Sequence, residues 1–176
     1  MFRSRHPAWP FTVALATALL AAGPLAAQAT VSDPRRVPLR PQWELRAEGV
    51  AAESPSALAG VGVNVRAGWY VRLGASLAAG ARRIDDGPMV GQVRADATLR
   101  FLLDPFAERR RGLYGGVGLS AAQLGGGIGA RPPVLLLLAG LEGQPRNGRA
   151  WALELGLGDG LRVAAVRRSA RRDGYR

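Results

Sequence analysis

The chain has 176 residues, with 24 Lys+Arg against 13 Asp+Glu, a formal net charge of +11 and no cysteine. All of the basic residues are arginine, and His6 is the only histidine. These counts exclude a disulfide framework, a Cys/His zinc site, a P-loop lysine and a Schiff-base lysine. Few groups remain for catalysis, so we expect neither enzymatic activity nor a bound metal or cofactor.

The N-terminus has the organisation of a secretory signal peptide. Arg3 and Arg5 precede an apolar, uncharged stretch over 11–27, and Ala27-Gln28-Ala29 offers a small-x-small cleavage site before Thr30. A short basic region, an apolar core and an A-x-A end are the parts of a Sec-type signal. An uncleaved signal anchor is disfavoured because the apolar stretch is short for a membrane span. We therefore expect an exported bacterial protein, for which nucleic acid is not a partner despite the positive charge.

Beyond residue 42, apolar and polar residues alternate with a period of two. The segment 91–103 is the clearest example, because its odd positions from Val93 to Phe101 are apolar and its even positions from Gln92 to Arg100 are polar. Such alternation is typical of strands with one apolar and one polar face. Turn residues divide the alternating region into eight predicted strands, at 42–52, 57–67, 69–82, 90–103, 113–123, 133–143, 150–158 and 160–169.

The predicted strands are long for a globular protein. They average about eleven residues, whereas about five to six is usual, and they match the roughly 9–11 residues of a tilted strand that crosses a bilayer. The chain is thus predicted to consist of a signal peptide (1–29), a Pro/Arg-rich linker (30–41), a β-barrel domain (42–169) and a basic tail (170–176).

Aromatic residues are expected at only one end of this meander, the end at which the first strand begins. Phe106 and Tyr175 are placed there by the strand order, together with six others. A ring of aromatic side chains at the membrane interface is typical of transmembrane barrels. The predicted interfacial girdle consists of Trp43, Trp69, Tyr70, Phe101, Tyr114 and Trp151.

The polar faces of the predicted strands carry charges of both signs in near balance. Because about eight strands leave an interior just wide enough for side chains, we expect these residues to fill the lumen as an ion-pair network. Glycines on the same face, such as Gly74 and Gly116, leave room for long arginines. The predicted network consists of Glu44, Arg46, Glu48, Arg66, Arg72, Arg94, Asp96, Arg100, Glu154 and Arg162.

The signal peptide, the eight-strand meander, the apolar-out alternation and the aromatic ring resemble the small outer-membrane β-barrels, the OmpA-like or OmpX-like class, over residues 42–169. The resemblance implies an all-β fold, a single closed antiparallel up-and-down barrel. It also implies location in the cell outer membrane, contact with membrane lipid and insertion by the outer-membrane assembly machinery. A non-catalytic role in structure or membrane integrity is then expected.

Two other architectures account for parts of the pattern. One alternative is a soluble periplasmic barrel of the lipocalin type that binds a small apolar ligand. It is retained because the run Leu135–Leu138 is apolar on both faces. Membrane helices over 112–130 are suggested by the absence of charge but disfavoured by eight glycines, each of which costs about 1 kcal/mol relative to alanine in a helix. The adjacent acids Asp85 and Asp86 lie in a predicted turn, where turn formation is favoured over weak binding of a divalent ion.

Overall fold

The computed structural model describes residues 41–84, 87–103, 112–126 and 129–169. The predicted signal peptide, nearly all of the predicted linker and the basic tail lie outside the described residues, as do Asp85, Asp86, Phe106 and Tyr175. The strands are β1 (Pro41–Ala51), β2 (Ser56–Arg66), β3 (Val71–Arg83), β4 (Met89–Leu102), β5 (Gly112–Leu124), β6 (Gly129–Ala130), β7 (Val134–Glu142), β8 (Arg149–Leu157) and β9 (Leu161–Ser169).

The strands form one closed antiparallel barrel. Each long strand pairs with the next long strand along the chain, and β9 pairs with β1, with Arg168 opposite Glu44. The two-residue β6 pairs only with the end of β5, so the barrel itself has eight strands and up-and-down topology. This confirms the predicted fold class. We call the end at which β1 begins the near end and the end at which β1 finishes the far end.

The eight predicted strands correspond to β1–β5 and β7–β9, with every boundary within two residues. The boundaries are predictable because the turns contain residues suited to turn conformations. The β7–β8 connection is an example: Asn147 and Gly148 have positive φ values of 51° and 72°, and Arg146 pairs with Arg149 around them. Two consecutive residues with positive φ give the hairpin turn whose twist matches that of the flanking strands.

The connection between β5 and β7 is less regular than predicted. A turn at Gly125 and Gly126 leads into β6, where Ala130 pairs with Gln123, and the pairing resumes with Val134 opposite Ser120. The segment Arg131-Pro132-Pro133 therefore contains one residue more than the facing part of β5, as in a β-bulge. Proline fits such a position because it has no N–H to donate to the neighbouring strand. Where it is described, the region 112–130 thus forms strands β5 and β6 and the turn at Gly125 and Gly126, not helices. Within the described part of the chain, no helix is long and apolar enough to cross a membrane.

Even-numbered side chains of the barrel strands point inward and odd-numbered ones outward. In β1, for example, Trp43 is 66% exposed whereas its neighbour Glu44 is 2% exposed. The same parity holds around the barrel because residues paired between neighbouring strands of the eight barrel strands are both even or both odd. The outer surface consequently consists mostly of Leu, Val, Ala and aromatic side chains, whereas most of the buried large side chains are charged or polar.

Candidate functional site

The charged barrel interior brings together most of the residues predicted for it. Arg66 is half-buried at the near-end rim and is not among the ion pairs found between described residues. The other nine predicted residues are buried in the lumen: Glu44, Arg46, Glu48, Arg72, Arg94, Asp96, Arg100, Glu154 and Arg162.

Arg168 is the centre of a network in the near half of the lumen. Its side chain is 1% exposed and uses all of its guanidinium nitrogens. Nη1 donates to Glu142 Oε2 at 2.6 Å, Nη2 donates to Glu154 Oε1 at 2.8 Å and to the Tyr114 hydroxyl at 2.9 Å, and Nε donates to Glu44. The planar fork of donors suits this role, because a guanidinium can engage several acceptors in fixed directions.

Glu154 and Glu44 extend this near-half network around the lumen. Arg46 and Arg100 each form ion pairs with both carboxylates. Asn64 donates its amide to Glu44 and accepts from Arg100. Arg72 joins through Glu142, with Nη1 2.6 Å from Oε2. The near-half network thus contains four arginines, residues 46, 72, 100 and 168, and three glutamates, residues 44, 142 and 154.

A second network fills the far half of the lumen. Arg162 bridges Glu48, at 2.8 Å, and Asp96, and Arg94 pairs with the same two carboxylates. This far-half network has equal numbers of positive and negative groups. At the far rim, Asp159 accepts from Arg82 at 3.0 Å and lies 3.5 Å from Arg131.

Little open space separates the two networks. A cavity between them is lined by Arg46, Asp96, Thr98, Glu154 and Arg162, among others. Its volume is about 10 Å³, which accommodates about one water molecule. Among the described residues, the lumen is therefore filled by side chains.

Five of the six predicted girdle residues are exposed at the near end. Trp43, Phe101 and Trp151 lie on the outer face of their strands, and Trp69 and Tyr70 lie in the β2–β3 turn. The exposed fractions are 66% for Trp43, 49% for Trp69, 52% for Tyr70, 46% for Phe101 and 62% for Trp151.

Tyr114, the sixth, was wrongly predicted to be in this girdle. It occupies an even position of β5, is 4% exposed and donates from its hydroxyl to Glu154 at 2.6 Å. The Arg168 guanidinium lies 5.0 Å from the centre of its ring. Tyr114 points inward because even-numbered positions of the strands face the lumen. The prediction rested on the residue type alone and not on this position.

Three further charged residues of the lumen were not predicted, although the signal was present. Arg82, Glu142 and Arg168 all occupy even positions of predicted strands, the parity of the inner face. Applying the alternation to every strand residue would have placed all three inside.

Gly140 makes room for Tyr114. It lies opposite Tyr114 in the β5–β7 ladder, and a Cβ atom added to Gly140 would overlap the Tyr114 ring. The ring cannot move aside without breaking the hydrogen bonds of its hydroxyl with Glu154 and Arg168. The absence of a side chain at 140 is therefore a requirement of the near-half network.

We expect Gly140→Ala to destabilise the barrel by about 1–3 kcal/mol, the usual cost of overpacking a filled core. The measurement is urea-induced unfolding followed by tryptophan fluorescence. The matched control is Gly91→Ala, because no atom lies within 4 Å of an added Cβ there. Equal stability of the two variants would contradict the packing of Tyr114 over Gly140.

The arrangement of the lumen is suited to charge compensation. Among the described residues, each of the five carboxylates of the lumen, at 44, 48, 96, 142 and 154, and Asp159 at the far rim pairs with at least one arginine. In the described part of the chain, no group of three or more His, Cys, Asp or Glu side chains is placed to hold a metal ion.

Taken together, the topology and the interior define a small, closed, eight-stranded antiparallel β-barrel with a charged lumen. No protein-family model matches the chain, and no curated protein matches its sequence.

Proposed function

We propose that this chain is a non-catalytic integral β-barrel of the bacterial outer membrane, with a charge-filled lumen and a role in structure or membrane integrity. The observation that carries the proposal is the inverted distribution of polarity. Large apolar side chains cover the outside, with Leu45 55%, Leu135 62% and Leu153 52% exposed, while charged side chains are buried. Monomeric soluble proteins rarely expose contiguous apolar surface of more than a few hundred Å².

The height of the apolar surface fits a bilayer. Along β3, all outward-facing positions from Val71 to Ala81 are uncharged, and Arg83 follows at the far end. These positions span ten residue steps, about 33 Å at roughly 3.3 Å per residue. A strand tilt of about 40° reduces this to about 25 Å, the usual height of the apolar band of an outer-membrane barrel.

The filled lumen supports a structural role in preference to transport or ligand storage. A pocket for a small apolar ligand has a volume of roughly 300–1,000 Å³ and mostly apolar walls. The lumen described above holds a cavity of about 10 Å³ whose lining includes two arginines and two acids. Passage of solutes through such a lumen would require several buried ion pairs to break, so we expect negligible conduction.

Subcellular fractionation combined with gel mobility tests the proposal against the lipocalin-like alternative. The full chain, expressed in a Gram-negative bacterium, is expected in the outer-membrane fraction. Without heating it should migrate differently in detergent gels from the heated sample, because a closed barrel resists unfolding by the detergent. A soluble periplasmic protein serves as the fractionation control. Recovery of the chain as a soluble periplasmic monomer would overturn the proposal and support the alternative.

A further inference from the structure

One patch of the outer surface combines exposed tryptophans with arginine. Arg167 points outward from β9, opposite Trp151 of β8 on one side and Leu45 of β1 on the other. Its guanidinium carbon lies 5.9 Å from the centre of the Trp151 ring, within cation–π range. Trp151 itself is 62% exposed, so Arg167 and Trp151 lie together on the outer surface, close to the near end.

A second arginine and a second tryptophan lie one step closer to the near-end rim. Arg149 is exposed at the start of β8, opposite Ser169 of β9. The Ser169 hydroxyl accepts from the backbone N–H of Trp43 at 2.9 Å, and Trp43 is 66% exposed. Arg149 and Arg167 are diagonal neighbours on adjacent strands, a relation that places Cα atoms roughly 7–8 Å apart. Both long side chains can therefore reach one small anion.

Within the described strands, no carboxylate lies on the outer face beside these two cations. The outward-facing strand positions in the described ranges carry Arg83, Arg149 and Arg167 and no Asp or Glu. The carboxylates that are described within the strands all face the lumen and pair with other arginines. The patch therefore presents two guanidinium groups that have no acidic neighbour on the described outer face, at the border of an apolar surface.

We propose that Arg149 and Arg167, framed by Trp43 and Trp151, bind the phosphate of an anionic phospholipid headgroup. This inference rests on the proposed function, since it needs the apolar surface to face lipid. Guanidinium groups bind phosphate oxygens through paired hydrogen bonds, and tryptophan favours the depth of the headgroups. The acyl chains would lie along Leu45 and Leu153, which are 55% and 52% exposed.

Quenching of tryptophan fluorescence by brominated lipid tests the site. The full chain carrying Trp9→Phe and Trp69→Phe keeps tryptophan only at 43 and 151. It is inserted into phosphatidylcholine vesicles containing a minor fraction of phosphatidylglycerol, with the bromine on either one lipid or the other. Each arginine is expected to enrich anionic lipid at the site about fivefold. Brominated phosphatidylglycerol should therefore quench at least fivefold more, per mole, than brominated phosphatidylcholine. Insertion is measured separately, from the flotation of the protein with vesicles and its gel mobility without heating.

The variants separate this site from general attraction of the basic chain to anionic vesicles. Arg149→Gln combined with Arg167→Gln should bring the quenching ratio close to one. The matched control, Arg83→Gln, removes an outward arginine from the far end and should leave the ratio unchanged. A ratio near one for the inserted parent protein, or a ratio unaffected by the double substitution, would overturn the lipid site while leaving the membrane barrel intact. Loss of the preference for phosphatidylglycerol in millimolar inorganic phosphate would mean that free phosphate is the ligand. Failure of the protein to insert into any vesicle would overturn both proposals.

Discussion

Replacing Glu154 with glutamine is expected to lower the free energy of unfolding by about 3–5 kcal/mol, the cost of removing one partner from a buried ion pair. Glu154 is 4% exposed, pairs with Arg46, Arg100 and Arg168 and accepts from Tyr114. Glutamine keeps the size of the side chain but removes its charge. Four buried arginines of the near-half network would then face only Glu44 and Glu142.

The measurement is urea-induced unfolding of the barrel reconstituted in lipid, with Glu53→Gln as the matched control. Glu53 is exposed in the turn after β1, and substitutions at such sites usually change stability by less than about 0.5 kcal/mol. Adding Arg46→Gln to Glu154→Gln should restore part of the loss, because it removes one of the uncompensated cations. A Glu154→Gln variant as stable as Glu53→Gln would contradict the central place of this glutamate in the network.

The second large effect is expected on the outer surface. Leu77→Arg should cost about 2–4 kcal/mol in a bilayer, the value for arginine at the lipid-facing midplane of a barrel. Leu77 is 46% exposed and lies halfway along β3, opposite Val61 of β2 and Ala95 of β4. An arginine at this position would have to move its charge from water into the hydrocarbon core of the bilayer. It would find no acidic partner among the neighbouring outward positions, which are Val and Ala.

Met89→Arg is the matched control for this substitution. Met89 also points outward and is 65% exposed, but it begins β4 at the far-end rim. Arginine near a membrane interface costs only about 0–1 kcal/mol. Unfolding free energies of both variants in phosphatidylcholine vesicles give the comparison. In a water-facing barrel the two substitutions would be equally mild, so equal costs would contradict the lipid-facing assignment.

The fold was predictable from the sequence because one simple pattern repeats in most of the strands. Alternation with a period of two fixes both the strand and the direction of each side chain, and turn residues such as Asn147-Gly148 fix the boundaries. Tyr114 shows the limit of prediction from residue type. An aromatic residue near a strand end suggested the girdle, yet its even position directs it into the lumen, over Gly140.

The partners inside the lumen could not be predicted from the same pattern. Arg46 of β1 meets Glu154 of β8, and Arg162 of β9 meets Asp96 of β4. Such contacts cross the barrel between strands that are not neighbours, and they depend on the stagger of the strands around it. Alternation specifies the face on which a charge lies but contains no information on that stagger. The extra residue at Pro132-Pro133 was missed for a related reason, because it concerns the register of one strand against another.

A spin label at position 77 tests directly whether the outer surface of the barrel faces lipid. The chain has no cysteine, so Leu77→Cys provides a single attachment site on the exposed middle of β3. In phosphatidylcholine vesicles, the label is predicted to collide readily with dissolved oxygen and hardly at all with a water-soluble nickel chelate, whereas a label at Met89→Cys should be accessible to the chelate. Ready collision of the label at 77 with the nickel chelate would place the middle of β3 in water and contradict a lipid-facing outer surface.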